Sequence, residues 1–573
     1  MHKCMKNNEI HNYGILKKTS YPLNVTVFSI KKFTFAYQLH IKTFKLLPIS
    51  ILKMPINGKI FFWLTCILIV FVRLRLVDIA MERDEGEYAY AAWQILEGKL
   101  PYSDFYNMKF PGVYYMYALV FRVAGLSMVA IRVWVLIMNL LSAFFIYKIA
   151  ETRLIYKHPM PNDDTKWIAA GLFLLLCISF GAQGCISNCE HFVVFFGMMG
   201  LWLLTERQFF LSGLAIGLSV MMKQQGFGIG IFGGVTLLYE FYHTDNKLLI
   251  IKQLFFYCLG IILPFCTLVA YVWQHNIFDK FYFYAIEYAA AYASILQPTF
   301  KEIYHIVNVF IDSPILWILF FVGLSKIIKD FAKEKSFFTE GGGLLLLWLM
   351  SFIAVSAGWY YRPHYFQLMF PAVALVVAHS LQKGNWRILK YTLQRYHLLA
   401  IIFFTTIVAQ PCYFFLYEKE HIVRKMYPHE FFNDIKRFGG FLNKKLPENE
   451  RIGLYSSDPQ LWFYAQRRGA SGFLYAFPLT EIQPYAQMMT DTYIQETEKA
   501  NPEWLLYCTI AKGEDNQKTM LQIDNWFDTY AKNYDVKGIL YKVKKGYADW
   551  VWETSAVDTS RERLMIVYKR KGI

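Results

Sequence analysis

Long apolar runs recur between residues 60 and 416, each closed by a short polar break. Runs that cross, or nearly cross, about 30 Å of hydrocarbon lie at 60–77, 111–125, 127–148, 167–183, 190–205, 208–222, 226–242, 250–273, 313–328, 341–357, 365–382 and 397–416. They predict an α-helical polytopic membrane protein of about 11–13 transmembrane helices, an odd number fitting the loop charges best. Counting both 111–125 and 127–148 as full crossings breaks that parity. Either the stretch VYYMYALVFRVAG stops short of crossing, or a short span lies elsewhere. After Tyr417 the pattern changes. Residues 418–573 carry frequent charges, Pro and Gly, and short alternating runs such as RIGLYSS and RLMIVYKR. They predict a C-terminal soluble α/β domain of ordinary size. Residues 1–53 are basic, with Lys17, Lys18, Lys31, Lys32, Lys42, Lys45 and Lys53, short apolar patches and no signal-peptide layout. They read as a tail or as an over-long translated start, because Met54 directly precedes the first convincing span.

Composition supports the membrane reading and removes one class of partner. Of 573 residues, 55% are apolar and only 18% are charged, against about 25% charged in soluble domains. The net charge of +16 would suit nucleic acid, but the basic residues sit mainly between apolar runs. The positive-inside rule and anionic headgroups account for them, so membrane lipids are expected as partners and nucleic acid is not. Cys185 and Cys189 read as small buried residues rather than as a metal or disulfide pair. The basic stretches Lys247–Lys252, Lys326–Lys335 and Lys383–Arg395 are expected on the cytoplasmic side. Counting outward places Asp84, the Glu190–His191 pair, Lys223, 358–364 and the C-terminal domain together on the opposite face.

The first outer loop, 78–112 of a membrane region spanning 54–417, carries the candidate chemistry. It sets the acidic pair Asp84 and Glu85 just beyond the first span and Lys109 just before the next. Between them Tyr88, Ala91, Ala92 and Ile95 recur at helical spacing, and Gly98 stands where that helix would end. Asp84 reads both as an N-cap, with Glu87 completing a capping box, and as a carboxylate for acid–base work. A helix N-terminus weakens a carboxylate as a base, so a catalytic Asp84 needs partial desolvation. Lys109 reads as an interfacial lysine that snorkels or as a cation for phosphate. Lys223 reads as a boundary lysine or as a functional cation, since a charge within a span costs about 2.5–3.5 kcal/mol. Arg362 and His364 adjoin a short outer loop and suit an anion, His364 equally a structural role. The glycines at 226–234 form a helix-packing face, and no strand precedes them as nucleotide binding would require. Trp462, Phe463, Tyr464, Tyr475 and Phe477 read as core rather than as sugar platforms.

The order acidic pair, helix, G-x-x-P-Y-x-D (Gly98–Asp104) and K-x-P-G-x-Y-Y (Lys109–Tyr115) resembles the first outer loop of the polyprenyl-phosphate-dependent glycosyltransferases. This integral-membrane superfamily includes the protein O-mannosyltransferases and the aminoarabinose transferase of lipid A. Weaker similarities follow at Asn188 and Glu190, at Lys223 and Gln224, and in an HYF-x-Q-x-x-P element of His364, Tyr365, Phe366, Gln367 and Pro371. The likeness spans roughly 60–417. Many relatives read K-P-P where this chain has Lys109, Phe110 and Pro111.

The resemblance implies an inverting glycosyltransferase of the cell envelope, moving a hexosyl or pentosyl group from a polyprenyl-phosphate sugar donor. The acceptor is a hydroxyl of a lipid, glycan or protein at the outer face of the cytoplasmic membrane. Asp84 matches the catalytic acidic residue and Glu85 is a second candidate, for acceptor or a divalent ion. Lys109 matches the lysine on the donor phosphate, with Lys223, Arg362 and His364 as further cations and Arg132 the weakest of the set. Glu190, Gln224, Tyr365 and Gln367 are supporting residues. No cofactor is called for, and a divalent metal stays open because metal dependence varies across the superfamily. The alternative is a transporter or flippase of lipid-linked or anionic substrates. It predicts inverted repeats with broken spans, and no convincing repeat is visible.

Overall fold

A computed structural model of the chain describes residues 56–150, 163–294, 300–334, 341–382, 385–388, 391–410, 417–508, 516–544, 547–552 and 560–572, with Thr152, Tyr413 and Asp558 besides. The basic stretch 1–53 lies outside the described residues. The first helix is α1 (Gly58–Arg75), capped by Asn57, whose side chain accepts from the Ile60 N–H at 2.9 Å. The loop helix α2 (Arg83–Leu96) begins before Asp84, not at it. Glu82 holds the extended N-cap backbone and accepts from the Glu85 N–H at 3.0 Å. Asp84 is thereby released from the capping role expected of it. At the far end Gly98 takes φ +75°, the left-handed step that ends the helix where the sequence put it.

Helices α3 (Gly112–Ala124) and α4 (Met128–Ile149) follow. At 1.5 Å per residue the 13 residues of α3 cover about 20 Å, too little to cross a bilayer unaided. Next come α5 (Asp163–Leu176), α6 (Cys189–Thr205), α7 (Phe209–Met222), α8 (Phe227–Tyr242) and α9 (Lys247–Gln274). Helix α9 turns Phe255, Ile262 and Trp273 outward, away from the rest of the protein. An apolar face of that length is what a helix against lipid presents. Beyond it lie α10 (Phe300–Ile311), α11 (Pro314–Glu334), α12 (Gly342–Val355), a 3₁₀ turn Pro363–Met369 running into α13 (Phe370–Leu381), and α14 (Arg395–Ala409).

Among the described residues three helices are long and apolar enough to cross a membrane: Met128–Ile149, Lys247–Gln274 and Pro363–Leu381. The segments Glu302–Ile311 and Pro314–Lys333, bent by 103°, make a fourth if taken together. Five more apolar helices have only 10–17 residues. The expected 11–13 spans thus divide into a few full-length helices and several short ones. Apolar run length overstates helix length where the run includes turns: 167–183 reads as one segment, yet α5 ends at Leu176 and the rest folds as turns.

After a short antiparallel hairpin, β1 (Asn385–Ile388) and β2 (Tyr391–Gln394), the C-terminal region builds a six-stranded sheet. Its strands are β3 (Arg451–Tyr455), β4 (Arg468–Gly469), β5 (Trp504–Cys508), β6 (Tyr534–Lys544), β7 (Tyr547–Trp552) and β8 (Arg563–Arg570), in the order β4-β3-β5-β8-β6-β7. β3 runs parallel to β4 and β5, and the other pairings are antiparallel. RIGLYSS and RLMIVYKR form β3 and β8, as their alternation predicted. Helix α15 (Gln460–Ala465) crosses α2 at Gly86, where a Cβ would come within 2.6 Å of the Gln460 nitrogen. The Met81 N–H donates to Tyr464, the Gly469 N–H to Tyr90 and the Tyr106 N–H to the Gly472 carbonyl, each at 2.8 Å. The first loop is thus bound directly to the sheet region. Gly86→Ala should cost about 1–3 kcal/mol through overpacking at this crossing, read as a lower unfolding midpoint in detergent.

Candidate active site

Asp84 and Glu87 stand three apart on α2, so they share a face, and Lys109 reaches both. Its Nζ lies 3.1 Å from Asp84 Oδ1 and 2.7 Å from Glu87 Oε2, and 4.7 Å from the centre of the Tyr88 ring. Glu87 is fully buried and also accepts from the hydroxyls of Tyr114 (2.5 Å) and Tyr475. The Tyr475 hydroxyl comes within 3.1 Å of Asp84 Oδ1 as well. Asp84 keeps 25% of its side chain exposed, whereas Lys109 keeps 15%. Lys109 is therefore a bridge between two carboxyl groups rather than a snorkelling lysine.

Burial raises the Asp84 pKa, but Lys109, His364 and Lys223 outweigh it and hold the group well below the usual carboxylate range. Burial works against the Lys109 charge, and Asp84 and Glu87 overcome it, lifting its pKa well above the ordinary lysine value. The signs define a window. Asp84, depressed in the fold, contributes stability above about pH 4 that is lost as pH falls through its lower folded value. Lys109, raised in the fold, contributes below about pH 10 and loses that contribution as pH rises through its higher folded value.

A second pair stands behind the first. Lys223, at the end of α7, places Nζ 2.5 Å from Glu190 Oε1 at the start of α6 and 3.9 Å over the Tyr365 ring. His364 bridges the pairs, with Nε2 3.7 Å from Asp84 Oδ2 and 4.0 Å from Glu190 Oε1, and Nδ1 3.1 Å from Gln183 Oε1. Gln224 donates to the Met108 carbonyl at 3.3 Å, tying the Lys223 turn to the Lys109 loop. Gln367 donates to the Ala182 carbonyl at 3.0 Å and fixes the turn that carries His364. The fold thus brings together Asp84, Lys109, Glu190, Lys223 and His364, with Gln224, Tyr365 and Gln367 around them. Arg362 is exposed at the edge, its guanidinium 5.2 Å from the centre of the Tyr360 ring.

Glu85 stands apart from this group. It is fully buried and held by Arg132 in a two-pronged ion pair, Nε–Oε1 3.0 Å and Nη2–Oε2 2.6 Å, with the Ser187 N–H at 2.8 Å. Arg132 also donates to the carbonyls of Val77 and Ile79. Both were candidates for binding substrate, and both have their hydrogen-bonding groups turned into this buried pair instead. Arg132→Met should cost about 3–5 kcal/mol by stranding Glu85, seen as loss of folded protein in detergent. Cys185 and Cys189 are free and buried, as expected. Among the described residues no group of three or more His, Cys, Asp and Glu side chains is disposed to hold a metal ion. The carboxyl groups of this site face lysines instead.

Two members of the site escaped sequence reasoning. Glu87 was read only as half of a capping box, although its spacing from Asp84 was a usable signal. Tyr475 was read as core, and it is buried as Trp462 is, but its hydroxyl also reaches Asp84 and Glu87.

No family model and no curated protein sequence matches the chain. Solved structures do. ArnT from Cupriavidus metallidurans bound to undecaprenyl phosphate aligns with a TM-score of 0.53 at 12% identity, over 88% of this chain and 97% of that one. Its apo state gives 0.52 at 13% identity over the same shares. The oligosaccharyltransferase of Archaeoglobus fulgidus, tethered to an acceptor peptide with an NVT sequon, gives 0.48 at 12%, over 88% of this chain and 75% of its own. This chain has the ArnT fold. The likeness that its first loop implied therefore holds for the architecture of nearly the whole chain. At such identity the ArnT fold carries no residue assignments, which rest on the geometry above.

Proposed function

We propose that the protein is an inverting glycosyltransferase that moves a sugar from a polyprenyl-phosphate donor to an acceptor hydroxyl. The observation that carries this reading is Asp84, a partly exposed carboxylate between Lys109 and His364, in a membrane chain with the ArnT fold. In the reaction the acceptor hydroxyl donates to Asp84, and its oxygen attacks the anomeric carbon from the face opposite the phosphate. The anomeric C–O bond breaks, polyprenyl phosphate departs, and the proton stays with Asp84. Lys109, Lys223 and His364 receive the phosphate charge.

The ion pairs give the cycle a useful coupling. While Lys109 sits on Asp84 it weakens that group as a base. A donor phosphate that draws Lys109 away removes the opposing charge, and Asp84 gains basicity when substrate is present. Glu87 keeps the lysine within reach. On this reading residues 54–417 form the membrane transferase and 418–573 an extracytoplasmic domain that supplies Tyr475, with the site at the outer face of the cytoplasmic membrane. The acceptor is a lipid, glycan or protein hydroxyl.

Membranes supplied with radiolabelled polyprenyl-phosphate sugars test this. The expected result is label in an acceptor with release of polyprenyl phosphate. Intact donor moved from one face of sealed vesicles to the other would favour a transporter.

A further inference from the structure

A cleft of about 620 Å³ opens where the start of the first loop meets the C-terminal region. Asp78, Ile79 and Ala80 line it on the loop side, and the helices Lys419–Met426 and Phe432–Lys445 supply the rest. None of Asp84, Lys109, Lys223 and His364 lines it, so the transfer chemistry leaves it unused. Arg132 fixes its rim by donating to the Val77 and Ile79 carbonyls at 3.2 and 2.8 Å.

The lining is basic. Lys419, Lys436, Arg437 and Lys444 stand there with the two acids Asp78 and Glu420. Both acids are already committed. Asp78 takes Lys419 at 2.5 Å, and Glu420 takes Arg437 through both oxygens at 2.7 Å. Lys436 rests on a backbone carbonyl, that of Asp78, at 2.7 Å. Among the described residues neither Lys436 nor Lys444 has a carboxylate within ion-pair distance. Two uncompensated ammonium groups in one cleft suit an anion with several acceptor oxygens. Gly440 lies between them at a spacing of four, so all three share one helix face. Glycine inside a helix is destabilising, and no packing asks for it here: a Cβ at Gly440 would meet nothing within 4 Å. The missing side chain keeps the floor between the two lysines open.

The loop side of the cleft leads back into an apolar surface. Helix α1 ends at Arg75, three residues before Asp78, and leaves Trp63, Ile67, Phe71 and Leu74 exposed at helical spacing. From Trp63 to Leu74 this face extends about 16 Å, half the thickness of the hydrocarbon core and so the reach of one acyl chain. A soluble phosphate would use the lysines and leave that face bare. A zwitterionic headgroup would set its own cation against them. An anionic phospholipid uses both parts, its phosphate on the lysines and a chain along α1.

We infer that this cleft holds the phosphate headgroup of an anionic phospholipid, seated between Lys436 and Lys444 with an acyl chain on the outer face of α1. The bound lipid fastens the C-terminal region to the membrane beside α1. The inference is independent of the proposed transfer.

The test is native mass spectrometry of the full chain, titrated in detergent with dioleoyl-phosphatidylglycerol or dioleoyl-phosphatidylcholine. Wild type should bind one phosphatidylglycerol about thirtyfold more tightly than phosphatidylcholine, the worth of two lysines beside an anionic headgroup. Lys436→Gln with Lys444→Gln should abolish that preference. Gly440→Leu fills the cleft without changing the net charge, so it should also weaken phosphatidylglycerol binding, while its unfolding midpoint without lipid should not fall. Equal binding of the two lipids by wild type would overturn the site. So would wild-type binding of phosphatidylglycerol by Gly440→Leu, which would reduce the preference to general attraction by a basic protein. Displacement of the lipid by an equal concentration of glycerol phosphate would assign the cleft to a soluble phosphate, and displacement by polyprenyl phosphate would assign it to the donor. Either result overturns the inference.

Discussion

Sugar transfer by Asp84→Asn is expected to fall about 10²–10⁴-fold below wild type at equal expression, the usual worth of a positioned general base. Asparagine keeps the size of the side chain and an oxygen for Lys109 and Tyr475, so the loss should isolate the charge and the proton acceptor. Donor binding should persist, because Lys109 still has Glu87 at 2.7 Å and Lys223 still has Glu190 at 2.5 Å. Initial rates in membranes with a radiolabelled donor, beside a pull-down of the donor lipid, read both quantities. Equal rates would remove Asp84 from the mechanism. The search would then pass to Glu87, the other carboxyl group on Lys109, and not to Glu85, which is committed to Arg132.

The second large effect belongs to Lys109→Met. Loss of a phosphate contact of this kind lowers transfer by about 10²–10³-fold. The same change strands the buried Glu87, a cost of about 3–5 kcal/mol when one partner of a buried pair is removed. The two effects separate in a double variant. Lys109→Met with Glu87→Gln should recover much of the unfolding midpoint while transfer stays low. If both recover together, Lys109 serves the fold and does not touch the donor.

Much of the architecture was legible because lipid and water sort side chains over long stretches of chain. The apolar runs located the helices, and the change of pattern after Tyr417 located the sheet region, with β3 and β8 read correctly from alternation. Helix length was less legible. Hydrophobicity does not say where a backbone leaves the helix, and α3 and α5 both end inside or short of their apolar runs. In the site, the meeting of Asp84 and Lys109 was legible because a carboxylate and a cation stand in one short loop between apolar runs.

Which acidic residue faces that cation is set by helical phase. At about 100° per residue, Glu87 returns to the face of Asp84, while Glu85 points elsewhere and finds Arg132. The spacing lay in the sequence, but the direction of the face did not, because it depends on what packs on each side of α2. Tyr475 lies 391 residues from Asp84, and no local pattern links the two. The sequence by itself determined that this is a helical membrane chain with a charged loop after its first apolar run and a C-terminal α/β region. Only the tertiary structure brought Glu87 and Tyr475 to Asp84 and Lys109 and turned Glu85 onto Arg132. Local patterns record the medium each segment meets, whereas a site is made where distant segments meet one another.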